Sequence, residues 1–273
     1  VSHSGCSAAW LARLSGGQEV VGSNPASPTI TVVFMCGRFV GNFSTDDILN
    51  EMSDAISQAG LRVDFPDTDL PLLHNFNVAP THAIPILRVV DGAVIVDVVQ
   101  WGLLPIWSKD ASKGASMINA RSETITEKPS FKGLVPKHRC IIPMSGFYEW
   151  DRTNPKAKIP YYVTRADGGL MLGAGIWSDS PIVDAGKTCA LITRDSIYDL
   201  SEIHDRSPVE FHAEEAVEWL LPGDAPLELF QPDHQPRFAT QRVSTRVNSV
   251  RNNDPSLIEP DTGDDSTSEL TLF

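Results

Sequence analysis

Hydrophobic and polar positions change period along the chain, and each change marks an element. After Ser44-Thr45-Asp46-Asp47, a helix cap with first-turn acids, Ile48, Leu49, Met52, Ala55, Ile56 and Ala59 recur at helical spacing until Gly60. A loop rich in Pro and Asp follows. Residues 83–90 and 93–99 are then apolar runs on either side of Asp91-Gly92, the dipeptide of a tight β-hairpin turn. Residues 139–143, 160–164, 170–177 and 187–193 read as further strands. Ala166-Asp167-Gly168-Gly169 is a turn, and residues 213–221 form a short amphipathic helix. Strands joined mainly by hairpins, with few helices and no internal repeat, predict an α+β fold. The expectation is a single compact domain on antiparallel, partly barrel-like β-sheet. No P-loop or dinucleotide fingerprint occurs.

The two ends of the chain read differently. Residues 1–34 are rich in Gly, Ser, Asn and Pro and build no core pattern. They lack the basic and apolar regions of a secretory signal, and nothing in them could span a bilayer. Residues 14–29 look like the conceptual translation of a structural-RNA gene. That favours an over-extended gene start over a removed propeptide or a disordered extension. At the other end, Asp254, Glu259, Asp261, Asp264, Asp265 and Glu269 follow Asn252 with no Lys or Arg among them. Residues 261–273 are therefore expected as an acidic, disordered tail. Residues 35–260 remain as the folded domain, large enough for a substantial core.

Charge narrows the partners. Of the formal net charge of −13, six units fall after Asn252, and the remaining −7 is still acidic. Nucleic-acid binding would have to use a local basic groove and would weaken with salt. Lys128, Lys132, Lys137, His138 and Arg139 form one such cluster, equally readable as an ordinary solvated loop. The cysteines Cys6, Cys36, Cys140 and Cys189 show no metal-ligand spacing and no disulfide framework, so no metal or cofactor is implied and a reducing, cytoplasmic compartment fits. Cys140 and Cys189 lie in apolar runs and read as core residues.

Cys36 is different, because it follows Met35 directly. If translation starts at Met35 and that residue is removed, Cys36 carries an α-amine of reference pKa about 7.7–8.0 beside a thiol of about 8.5. The pair can capture an aldehyde as an imine and close it to a thiazolidine. Elsewhere, Glu149 sits among Phe147, Tyr148 and Trp150, where desolvation would suit a proton-transfer role, although a salt-bridged strand residue is the simpler reading. His204 stands beside Asp205 and Arg206 in a loop, and alone reads as structural.

Taken together, Met35-Cys36-Gly37-Arg38-Phe39, Asn77 to Pro80, Trp101 to Trp107, Ile118 to Glu123, the Gly146-Phe147-Tyr148-Glu149-Trp150 block and Ile203 to Pro208 resemble one family in order and spacing. That family is the SOS-response-associated peptidases, proteins that crosslink themselves to abasic sites in single-stranded DNA. The resemblance implies that Cys36 is the nucleophile, that Asn119 holds the reacting sugar, that Glu149 deprotonates the attacking groups and that His204 serves as acid or base. It implies phosphate contacts by Arg38, Arg121 and Arg206, and a stacking wedge of Pro80 and Trp107. Ser108 departs from the family, whose members often carry a second aromatic there. Ser207 departs too, standing where a larger residue is usual. The implied protein is a DNA-repair enzyme, a monomer on abasic single-stranded DNA. Minor lyase activity and self-cleavage of the leader, a protease function, are also within its chemistry. Two rivals remain. An N-terminal-nucleophile amidohydrolase would also begin Met-Cys-Gly but needs further motifs, and a noncatalytic single-strand DNA-binding module would need only the aromatics and arginines.

Overall fold

The computed structural model describes residues 36–65, 71–151, 153 and 158–261. The expected leader lies outside them, as does the tail after Asp261. Strand β1 (Phe39–Ser44) runs into helix α1 (Thr45–Gln58) through a reciprocal cap. Ser44 Oγ accepts from Asp47 N at 3.3 Å while Asp47 Oδ2 accepts from Ser44 N at 2.7 Å, satisfying two donors that a helix start otherwise leaves open. Ile48, Met52, Ala55 and Ile56 are buried on one face. Leu49 is only half-buried, Ala59 is exposed, and Gly60 ends the helix at φ +69°.

The segment expected as a Pro/Asp loop contains two strands, β2 (Arg62–Asp64) and β3 (Pro71–Val78). The hairpin β4 (Ala83–Val90) and β5 (Ala93–Trp101) turns at Asp91 (φ +48°) and Gly92 (φ +74°), the two positive φ values that its tight turn demands. Then come β6 (Asn119–Arg121), β7 (Arg139–Met144), β8 (Gly146–Trp150), β9 (Pro160–Arg165), β10 (Met171–Asp179) and β11 (Lys187–Asp195). Short strands β12 (Arg206–Pro208) and β13 (Glu210–Phe211) precede helix α2 (Ala213–Leu220), and β14 (Phe238–Arg242) follows.

These strands make an antiparallel sheet in the order β14-β9-β8-β1-β3 and a larger mixed sheet, β12-β11-β10-β7-β4-β5-β2. In the larger sheet β11 also pairs with β5 in parallel, joining Thr188 to Gln100 and Cys189 to Trp101. That pairing closes β11-β10-β7-β4-β5 into a ring, so the α+β, partly barrel-like expectation holds. Strand alternation then sorts the side chains. Ile84, Ile86, Val99, Trp101, Cys140, Ile142, Cys189 and Leu191 share one cluster, while Leu87, Ile141, Ala174, Ile176, Ala190 and Ile192 pack on the other face with α1 and α2. Both faces are covered, which is why residues 139–144 are buried throughout. Cys140 and Cys189 are fully buried, and desolvation pushes both thiols up.

Candidate active site

Cys36 and Phe39 pack in the inner cluster of the ring, with Trp101, Ile118 and Phe147. In the register of β1 and β8, Phe39 faces Phe147, so Glu149 two residues on lies opposite Gly37, next to Cys36. Alternation puts Phe147 and Glu149 on one face; Tyr148 points the other way and donates its hydroxyl to the Phe76 carbonyl at 2.8 Å. Gly146 begins this strand against Tyr162, whose ring atoms lie 2.5 Å from where a Cβ would stand.

The result is a buried line of groups. Cys36 N donates to Glu149 Oε1 at 2.6 Å, and Glu149 Oε2 lies 3.6 Å from His204 Nε2, ion-pair range rather than a hydrogen bond. Cys36 and Glu149 are each 2 % exposed and His204 is 3 %. The Cys36 thiol points at the Arg206 carbonyl, 4.0 Å away. His204 is held by its neighbours: Arg206 N donates to Nδ1 at 3.0 Å, while the Arg206 carbonyl and Asp205 Oδ1 lie 3.1 and 3.3 Å from the same nitrogen. The Arg206 N–H donor and two oxygen acceptors thus meet at Nδ1, while Nε2 faces Glu149. In the imidazolium, Nδ1–H would face the Asp205 carboxylate and the Arg206 carbonyl.

Asn119 begins β6, opposite Leu191 of β11. Its placement is set from the residue before it, because the Ile118 carbonyl accepts from Trp101 Nε1 at 3.0 Å and from Leu191 N at 2.9 Å. Asn119 is half-buried, and Arg121 at the far end of the strand is exposed.

The other expected residues divide. Arg38 is half-buried and donates to Asn77 Oδ1 at 2.7 Å and the Val247 carbonyl at 3.0 Å. Those partners are neutral, and among the described residues no carboxylate pairs with it; burial draws its pKa down. Burial, then Arg38's charge, push His82 down as well. Pro80 lies in the tight turn before β4, and Trp107 in the loop after β5, at the same end of that hairpin. Trp107 is 64 % exposed and its neighbour Ile106 60 %, an apolar pair that was only half anticipated. Arg206 differs from the expectation: its guanidinium is buried and paired with Glu123 and Asp195. Arg139 differs too. It is buried and donates to the Trp219, Leu221 and Gly223 carbonyls at the end of α2, which removes it from the exposed basic cluster. Lys128, Lys132 and Lys137 are exposed, and His138 stacks on Trp177. Among the described residues, no group of three His, Cys, Asp or Glu side chains could hold a metal, and no helix is long and apolar enough to cross a membrane.

The chain is similar to the abasic site processing protein YoqW of Bacillus subtilis, 37 % identical over 232 residues, covering 82 % of this chain and 99 % of that protein. It is 31 % identical to the abasic site processing protein YedK of Escherichia coli, over 83 % of this chain and all of the relative. A solved structure of a Bacteroides thetaiotaomicron protein shares the fold, with a TM-score of 0.62 at 24 % identity across 83 % of this chain and all of that one. Residues 35–250 match the family described as SOS response associated peptidase (SRAP), and the chain belongs to that family.

Proposed function

We propose that the protein processes abasic sites in single-stranded DNA by linking them covalently to Cys36. The observation that carries this reading is the contact of Glu149 Oε1 with Cys36 N at 2.6 Å, with His204 on the carboxylate's other oxygen. An abasic deoxyribose opens to an aldehyde. The Cys36 amine would attack its C1′, Glu149 taking a proton from nitrogen, and loss of water leaves an imine. The thiol then adds across the C=N bond: sulfur joins carbon, the proton passes to nitrogen, and a thiazolidine results with one water released overall. Ring closure is intramolecular, with effective molarities on the order of 10⁵ M or more for well-aligned groups.

His204 suits the preceding step. As the imidazolium, stabilised by Glu149 beside it, His204 would give its Nε2 proton to the sugar oxygen as the ring opens, leaving a neutral ring whose remaining proton is on Nδ1, toward the Arg206 carbonyl. Asn119 would hold the sugar. Arg38 and Arg121 would take the flanking phosphates, and Pro80 and Trp107, extended by Ile106, would stack on bases. The reading requires a free α-amine, hence cleavage of the Met35–Cys36 peptide bond. Lyase and peptidase activities would be side reactions of the same groups.

The test uses protein beginning at Cys36, verified by intact mass, with a single-stranded oligonucleotide bearing one abasic site. A denaturant-resistant adduct equal to the two masses less one water is expected, and Cys36→Ala should abolish it. Wild-type protein that forms no adduct would end the proposal.

A further inference from the structure

The loop that leads to His204 carries an aromatic residue on a strained backbone. Tyr198 opens the 3-10 turn Tyr198–Glu202 at φ +55°, in the left-handed region that glycine enters freely and a bulky residue does not. The surrounding chain holds it there. Ser201 Oγ donates to the Tyr198 carbonyl at 2.7 Å, and Ser196 N donates to the Asp205 carbonyl at 3.0 Å, closing the loop at its base. Arg237 lies over the Tyr198 ring, its guanidinium carbon 3.4 Å from the centroid, yet Tyr198 stays 38 % exposed. Strain kept at an exposed aromatic points to a use for the ring in that place.

Both members of the pair are tied to the candidate site. Leu200, two residues after Tyr198, is buried in the cluster that holds Cys36, and its carbonyl accepts from His204 N at 3.0 Å. Phe238, next to Arg237, meets Phe147 edge-on at 5.9 Å, two positions before Glu149. Strand register then gives the direction. Along β11, Cys189 stands beside Trp101, Leu191 beside Asn119 and Thr193 beside Arg121. The strand ends at Asp195, about 20 Å from Cys189, and Tyr198 follows three residues later. The loop that carries Trp107 is held at the first end, where Leu104 N donates to Thr188 Oγ1 at 2.8 Å. Asn119 and Arg121 therefore lie between Trp107 and Tyr198 in the order of the register. Asp195 and Asp205, the exposed carboxylates at the ends of the Tyr198 loop, repel phosphate. The part of a strand that the ring can take is the uncharged face of a base.

We propose that Tyr198, backed by Arg237, is a stacking platform for a nucleobase of the single strand, on the side of the lesion away from Trp107. The inference rests on single-stranded DNA as the partner, and not on the chemistry at Cys36.

Protein beginning at Cys36 is titrated against an undamaged single-stranded oligonucleotide by fluorescence anisotropy. Tyr198→Gly removes the ring and releases the backbone, Tyr198→Leu keeps apolar bulk without a flat face, and Tyr198→Phe keeps the ring. The first two should bind about 5- to 150-fold more weakly, the range of one lost base stack, and Tyr198→Phe within about twofold of wild type. The salt slope should not change, because stacking releases no counterions. Tyr198→Gly should unfold no lower than wild type, since glycine is at ease at that φ. A pair that only anchors the loop predicts the reverse. Gly and Leu variants within about twofold of wild type, while Trp107→Ala binds weakly, would overturn the inference. So would a loss that flattens the salt slope, which would make Arg237 a phosphate contact and Tyr198 its prop. Two further strands carry a central abasic site, with base-free tetrahydrofuran spacers replacing the nucleotides on one side or the other. Adduct formation below saturation should become insensitive to Tyr198→Gly with one of them and to Trp107→Ala with the other. Both variants responding to the same side would also overturn the placement. Should wild type form no adduct, the assignment of Cys36 fails, while anisotropy still decides the role of Tyr198.

Discussion

A carboxylate 2.6 Å from the Cys36 nitrogen can position that group or take its proton, and one substitution separates the two. Glu149→Gln keeps an oxygen where Oε1 sits but accepts no proton. If Glu149 is the base, adduct formation at saturating DNA should fall about 10²- to 10⁴-fold, with affinity for undamaged DNA unchanged. A rate within a factor of two of wild type, in single-turnover measurement, would leave it a positioning role only. A second buried carboxylate obeys a different logic. Glu210 is fully buried; it accepts from the Leu172 amide, and its Oε2 has no hydrogen-bond partner among the described residues. Desolvation raises its pKa well above the ordinary carboxylate value, against the smaller pull of Leu172 and Arg165. Above the unfolded-state pKa the unfolded chain has lost this proton while the folded chain keeps it, so the residue costs stability as pH rises. Glu210→Gln should therefore raise Tm by about 2–4 °C at pH 8, with a smaller gain at pH 5. Equal gains at both pH values would show that the carboxyl is not neutral in the fold.

At the scale of elements, the loop after β5 depends on one residue. Gly102 has φ +127°, and a Cβ there would stand 2.5 Å from the Gly114 carbonyl oxygen. Its amide donates to the Cys189 carbonyl at 2.9 Å, so the chain cannot simply swing away. Gly102→Ala should destabilise the protein by about 2–3 kcal/mol in urea unfolding, from backbone strain and the clash together. A loss under half of that would mean the loop relaxes freely. Elements such as the α1 cap and the β4–β5 hairpin were legible in the sequence because each has a local chemical cause, Ser44 with Asp47 and Asp91 with Gly92. Strand β3 was not. Pro71, His74 and Asn75 obscure its period, and its pairing with β1 shifts register twice. The site was legible by residue type more than by contact. Glu149 and His204 stood out in their motifs, but the Glu123–Arg206 pair spans 83 positions and leaves no local pattern.

Over the whole molecule, the acidic balance decides how DNA can bind. With a formal charge of −13, long-range attraction to a polyanion is absent, and affinity must come from short-range phosphate contacts and stacking. On the proposed reading, Arg38 and Arg121 would take the phosphates, since Arg206 is ion-paired with Glu123 and Asp195, and exposed Trp107 and Ile106 would supply the apolar surface. Two contacts on a single strand imply that log K falls with log salt at a slope near −1.4, at about 0.7 per phosphate. Arg38→Ala and Arg121→Ala should each flatten that slope by about 0.7. Trp107→Ala should weaken binding by about 1–3 kcal/mol and leave the slope alone, because stacking releases no counterions. Fluorescence anisotropy with an undamaged oligonucleotide between 50 and 200 mM salt, a range on the order of that used to resolve such slopes, distinguishes the terms. A wild-type slope near zero would remove both arginines from the phosphate role. A slope steeper than about −3 would require further cations, and Lys128, Lys132 and Lys137, all exposed, would be the first to substitute.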